Sequence, residues 1–480
     1  MSLNINKPFI GHHDFNGAYF SQIAKNLISY SPIDTKLGQI LGYGNLNTGN
    51  FNYYTHNVPL YPWIVATSFL IFNVGEWQAR VVSIIASLFS VIIIYRIALL
   101  LFNKFTAYLS ILFFTLSAMM IYFSSIVFPD PLAMFLTLTT FYFYIRWIDK
   151  ENSFNYYLLL TFLILSLSTL WSSYFLSPII FLHYLFVLKG KNLKKIFLIL
   201  FMPVAVFTAH ILHVYLLTGD FFGGGFFDSL LFRLNLSRSD WVEFSPIQFI
   251  QKEILLVFAY YSKITVLLVF GWFSMLFYRM LKRRDNDKQL TLLILFFWGI
   301  SYPLLFIQGA FVHDYFLIYM APFIAIASGH FLYICSKNFQ NLKLFNLPIY
   351  IFLFIFPLIQ FFMIKNFAFA LLKSDANLEG YSLAKLLNNT KSTDGEILVL
   401  SGQFGAHFDV FTNFYVNRDI RYADFNCQNF NKNQPYLNYK YVVYIYKRQD
   451  TPLCALKTLK EEYSSFSSDQ FEIFKINNGQ

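Results

Sequence analysis

RVVSIIASLFSVIIIYRIALLL, residues 80–101, decides the fold. Between Arg80 and Arg96 no side chain carries a charge. As a helix rising about 1.5 Å per residue, the stretch is long enough to cross a hydrocarbon core of roughly 30 Å. Apolar runs of similar length recur as far as Ala370, separated by short polar loops. They give ten candidate spans: 80–101, 105–124, 129–148, 155–172, 173–188, 194–217, 254–278, 289–309, 314–335 and 346–370. Only Trp171, Ser172 and Ser173 mark a turn between the fourth and fifth.

The rest of the chain agrees with a membrane solvent. Only 13% of the 480 residues are charged and 56% are hydrophobic, against roughly 25% charged in soluble domains. The net charge of +10 would suggest nucleic acid in a soluble protein, but its placement excludes that partner. Basic residues sit in alternate loops: Arg96 and Lys104; Arg146 and Lys150; Lys189, Lys191, Lys194 and Lys195; Arg279 to Lys288; Lys337 and Lys343. Positive loops stay cytoplasmic. The loops around Ser124–Phe128, Thr218–Glu253 and Gly309–His313 therefore face outward, with both termini on that side.

Three parts follow: an extracytoplasmic segment 1–79, a helical bundle 80–370, and an extracytoplasmic tail 373–480. The first has no charged n-region followed by an apolar core of signal-peptide type, so either the chain inserts N-end first or an initial helix is missing from this sequence, and the second is expected. Val58–Val74 is apolar but short and interrupted by proline, which suits an amphipathic helix at the outer surface. The tail predicts a helix near Asp375–Asn389 and strands at Glu396–Leu400 and Tyr439–Tyr446, enough for a small α/β unit. Cys427 and Cys454 could pair there, although sequence does not give distance.

Ionisable groups at membrane depth are costly, so they mark a cavity or are paired or snorkelling side chains. Here they gather at the outer face: Asp14 after His12 and His13, His56, Arg80, Asp130, His210, His213, Lys263, and His313 with Asp314. Scattered structural polar residues would occupy both faces. Asp14 is placed to act as a base toward an acceptor hydroxyl or amine; equally, it could cap a helix over Phe15–Ser29. Asp130, between Pro129 and Pro131, begins a helix, where capping alone would explain it. Arg80, Lys263, His210, His213 and His313 are candidate partners for a lipid-linked phosphate, which calls for positive charge or several donors. Arg80 could instead anchor its helix at the headgroups, while Lys263, ten residues into a span, is poorly placed to snorkel. The pairs His12–His13 and His210–His213 leave a divalent metal open, but neither has a defined third ligand, so no metal is assigned. No phosphate-binding or dinucleotide-binding glycine loop is present, which leaves no evident route to a cytoplasmic nucleotide-sugar.

The order of motifs HDFNGAYFSQIAKNL, YYTHNVPLYP, GEWQAR, FPDP and HDYFLIYMAPF resembles bacterial GT-C glycosyltransferases of the family 39-like superfamily, relatives of protein O-mannosyltransferases and the lipid A aminoarabinose transferase. The resemblance covers residues 10 to about 335. It implies an all-α polytopic membrane bundle of GT-C type with about ten transmembrane helices and a small C-terminal α/β domain. It also implies inverting transfer of a sugar from a polyprenyl-phosphate donor to an envelope lipid, polysaccharide or protein at the outer face of the plasma membrane. By motif, the catalytic base falls on Asp14, the second acidic residue on Asp130, and donor contacts on His313 and Tyr315. Two departures stand out: Phe15 follows Asp14 where the family commonly has an acid, and His56, Asn57, Val58 and Pro59 replace a His-Pro-Pro segment. The competing readings are a polysaccharide polymerase or ligase, and a transporter of lipid-linked sugar, which would more often show repeats and a charge path reaching both faces.

Overall fold

In a hydrocarbon solvent large apolar side chains gain little by turning inward, so helices meet through small residues and hydroxyls. The helix Glu76–Leu101 follows that rule in the computed structural model of the chain. Ala79, Ser83, Ala86, Ser87 and Ser90 are buried, whereas Ile85, Leu88, Phe89 and Ile92 point outward. Ser83 meets the Tyr61 hydroxyl of the preceding helix, Leu60–Phe72, at 3.2 Å. The structure describes residues 4–476 except 235, 237–242, 285, 342–348, 401–407, 424–429, 431–433, 447–452 and 469.

Among the described residues, six helical segments are long and apolar enough to cross a membrane: Glu76–Leu101, Leu193–Thr218, Lys263–Leu281, Asp287–Leu305, Asp314–Lys337 and, from Phe354 onward, the helix Ile349–Lys373. Shorter apolar helices accompany them at Leu60–Phe72, Lys104–Thr115, Ser153–Leu167 and Trp171–Val187. The more polar helix Asp130–Lys150 packs between Glu76–Leu101 and Ser153–Leu167 and is largely buried. Over their described residues all ten expected segments are largely helical, though several are interrupted.

The interruptions have local causes. Ser117 ends Lys104–Thr115 and caps the short helix Ala118–Phe123, accepting the Met120 N–H at 3.3 Å. Ser262, at φ +69°, separates Pro246–Tyr261 from Lys263–Leu281 and accepts the Thr265 N–H at 3.3 Å. That break corrects the expected span 254–278: Lys263 opens a helix and is exposed rather than lying ten residues into a span. Asp287–Leu305 and Ile307–Val312 likewise divide the span expected at 289–309. Within the expected span 314–335, Asp314–Met320 is a 3-10 turn before the α-helix Ala321–Asn341 begins.

Gly299 permits one close approach that matters for the site. A Cβ there would lie 2.6 Å from the Tyr319 carbonyl oxygen and 2.8 Å from Met320 Sδ. Backbone cannot step aside as a flexible side chain can. Gly299→Ala is therefore expected to destabilise the bundle by about 1–3 kcal/mol through overpacking, read as a lower Tm in detergent. An unchanged Tm would mean that the two helices do not touch at this point.

The C-terminal region folds around a five-stranded sheet. With β1 (Gln39–Leu41) and β2 (Asn52–Tyr54) forming a small hairpin in the first segment, its strands are β3 (Ile397–Leu400), β4 (Arg421–Ala423), β5 (Tyr441–Ile445), β6 (Ser464–Ser467) and β7 (Phe471–Lys475). Their order is β4-β3-β5-β7-β6, with β3 parallel to both β4 and β5, and β7 antiparallel to β5 and β6. The run YVVYI is buried throughout because it is central and covered on both faces. Tyr441, Val443 and Ile445 pack with Leu383, Ala384 and Leu387 of one helix; Val442 and Tyr444 pack with Ala455 and Leu459 of another. The expected cysteine pair includes Cys427, which lies outside the described residues; Cys335 is a free thiol.

The start of the tail is bound to the first segment. Asn377 donates its N–H to Ile10 O at 2.9 Å and its side-chain amide to Gly11 O at 2.8 Å. The Tyr415 hydroxyl accepts the Phe9 N–H at 2.7 Å and donates to Glu76 at 3.0 Å. These bonds fix the loop that carries His12, His13 and Asp14.

Candidate active site

A cavity of about 480 Å³ opens beneath that loop. Its walls come from distant parts of the chain, among them His12, His13 and Asn16; Tyr54 and Asn57; Asp130; and His313 with Tyr315. Arg233 and Asn377 complete it. Residues some 300 positions apart meet because the 3-10 turn Asp314–Met320 packs against Ala118–Phe123 and Asp287–Leu305. The His13 ring lies edge-on to Tyr315 at 5.0 Å and to His313 at 5.7 Å.

Asp14 stands directly behind the cavity wall, 3% exposed. It occupies the N-cap position of Phe15–Ser29 but makes no side-chain cap bond. One carboxylate oxygen accepts the Gly11 N–H at 2.8 Å, and both lie 3.4 Å from the Arg80 guanidinium. Capping is therefore not its role in this geometry. Arg80, also 3% exposed, donates to Ile5 O at 3.1 Å and to Lys7 O, and lies over the Phe9 ring at 4.8 Å. Its donors go to the first segment, and it does not line the cavity.

Asp130 does line it. It lies in the first turn of the helix Asp130–Lys150 and accepts the Tyr319 hydroxyl.

The structure disperses the other basic candidates. His56 is clasped by the Ser229 hydroxyl at 2.9 Å, and its carbonyl accepts the Trp171 indole N–H at 2.7 Å. Burial, reinforced by the charge of Arg233, lowers its pKa to about 4. A neutral imidazole is no cation for a phosphate. His210 meets the Thr55 carbonyl at 3.0 Å and His213 the Lys36 carbonyl at 2.9 Å, so each ties a helix to the first segment and they do not converge on a shared ligand site. Neither they nor Lys263 line the cavity.

Arg233 escaped sequence reasoning. It ends the short helix Phe226–Arg233 in an outer loop read as poor in basic residues. Its charge interacts with the phenols of Tyr302, Tyr54 and Tyr315 and with Asp130. The available signal was an eight-residue amphipathic helix just after Gly223–Gly225, with one arginine at its end.

Residues 56–215 match the family described as dolichyl-phosphate-mannose-protein mannosyltransferase. No curated protein matches the chain significantly. Among solved structures, the chain is similar to ArnT from Cupriavidus metallidurans bound to undecaprenyl phosphate, at 13% identity and a TM-score of 0.64, covering 100% of this chain and 96% of that one. It is also similar to the Archaeoglobus fulgidus oligosaccharyltransferase in complex with zinc and sulfate, at 14% identity and a TM-score of 0.58, covering 92% of this chain and 66% of the other. A structure of the same archaeal enzyme, AglB, with an inhibitory peptide and a dolichol-phosphate gives 14% identity and a TM-score of 0.57, covering 99% and 73%. At these identities the likeness establishes the fold.

Proposed function

The chain has the fold of the GT-C membrane glycosyltransferases, and on that premise we propose that it transfers a sugar from a polyprenyl-phosphate donor to an envelope lipid, polysaccharide or protein, at the outer face of the plasma membrane. The cavity is the observation that carries this reading. It holds a cation, Arg233, suited to a phosphate, and a carboxylate, Asp130, with the first-loop carboxylate Asp14 behind its wall. The undecaprenyl phosphate and dolichol-phosphate bound in the two similar structures support a donor of that class.

In the reaction an acceptor O–H or N–H attacks the anomeric carbon, the bond from that carbon to the phosphate oxygen breaks, and the polyprenyl phosphate leaves with the electron pair. A carboxylate takes the acceptor's proton. The sugar inverts because attack and departure occur on opposite faces. Asp14 is the proposed base, reaching the cavity by turning from Arg80; its neighbours His12, His13 and Phe15 already form the wall. A second reading gives the proton to Asp130, favoured by its position in the cavity.

The test uses purified protein in vesicles with a polyprenyl-phosphate donor labelled in the sugar, and envelope fractions as acceptors. Label should move to one fraction as polyprenyl phosphate is released. Growth of a long polymer would favour the polymerase or ligase alternative. Movement of intact donor across the vesicle, without transfer, would overturn the transferase reading in favour of a transporter.

A further inference from the structure

We propose that His12, His13 and Asp314 form a binding site for a divalent transition-metal ion, with zinc the best match to their donors. His13 Nε2 lies 2.8 Å from one Asp314 oxygen and His12 Nε2 3.1 Å from the other. One ligand atom from each residue falls within 4.8 Å of the other two. Zinc bonds of about 2.0–2.2 Å set the donors of a tetrahedral shell roughly 3.3 Å apart. The two histidine–aspartate distances are already close to that spacing.

Neighbouring residues in ordinary extended backbone send their side chains to opposite sides. His13 adopts φ +56°, which brings both imidazoles to one side, with ring centroids 4.0 Å apart. A non-glycine residue in this region marks local strain held by its surroundings. Two imidazoles and one carboxylate form the three-ligand set of an open zinc site. The Tyr260 hydroxyl donates to Asp314, orienting a ligand carboxylate as outer-shell partners do.

A separate observation points the same way. Glu253 carries a buried oxygen without a hydrogen-bond partner among the described residues, and its charge interacts with those of Lys252 and Asp314. A second carboxylate beside Asp314 makes the region acidic, which a divalent cation would relieve. His12 and His13 line the cavity, so the proposed site lies at its wall. The ion would join the first loop to the late 3-10 turn.

The test reads binding rather than transfer, so its failure leaves the transferase reading untouched. Tag-free full-length protein in detergent, stripped with chelator, is titrated with zinc alone and followed by metal analysis, thermal unfolding and X-ray absorption. About one equivalent should be retained, with a Tm rise of roughly 2–4 °C at saturating zinc and two imidazoles in the metal shell. His12→Gln, at a partly exposed position, should fold and reduce the shell to one imidazole; Asp314→Asn should abolish stoichiometric retention. Retention of no stoichiometric zinc by the wild type, or a shell unchanged in His12→Gln, overturns the site.

Discussion

Asp14→Asn is expected to lower sugar transfer by about 10²–10⁴-fold, the usual contribution of a positioned general base. Asparagine preserves the shape and still accepts the Gly11 N–H, but it cannot take a proton. The same change strips Arg80 of its carboxylate, leaving a guanidinium at 3% exposure with the Ile5 and Lys7 carbonyls. Removing one partner of a buried pair costs about 3–5 kcal/mol. A fall in activity alone would therefore be ambiguous. Arg80→Gln in the Asp14→Asn background separates the causes, because it removes the stranded charge. Stability should recover in part while transfer stays low. Recovery of both would make the pair purely structural and move the base to Asp130, which Asp130→Asn then tests in the same assay.

The second large effect concerns the donor. Arg233→Gln is expected to weaken binding of polyprenyl phosphate by about 30-fold to several thousand-fold, corresponding to the 2–5 kcal/mol typical when one member of a buried charge pair is truncated. Arg233→Lys should fall between wild type and Gln, since an ammonium keeps the charge but loses the planar fork that matches phosphate oxygens. Binding is measured directly in detergent, with the uncharged polyprenol as control. Only the phosphorylated lipid should respond. Equal binding of polyprenyl phosphate by wild type and Arg233→Gln would show that the phosphate is held elsewhere.

Local composition accounts for what was legible. A helix in lipid is announced by its own twenty or so residues, so the ten segments could be read without reference to one another. The strand YVVYI was equally plain, being a short β-branched and aromatic run. Where a serine supplied its own cap, as at Ser117 and Ser262, the apolar pattern concealed the break. The same oversight misplaced Lys263.

The sequence by itself determined the solvent, the class of fold and the collection of polar groups near one face. Tertiary structure decided which of those groups share a space. His56, His210 and His213 were drawn into loop and helix anchoring, while Arg233 and Asp314 entered the cavity neighbourhood from segments distant in the chain. The physical reason is the range of the forces. Transfer into hydrocarbon acts on each helix separately, but a charge or hydrogen-bonding group is settled by whichever partner comes within about 3 Å. That proximity exists only after the helices have packed.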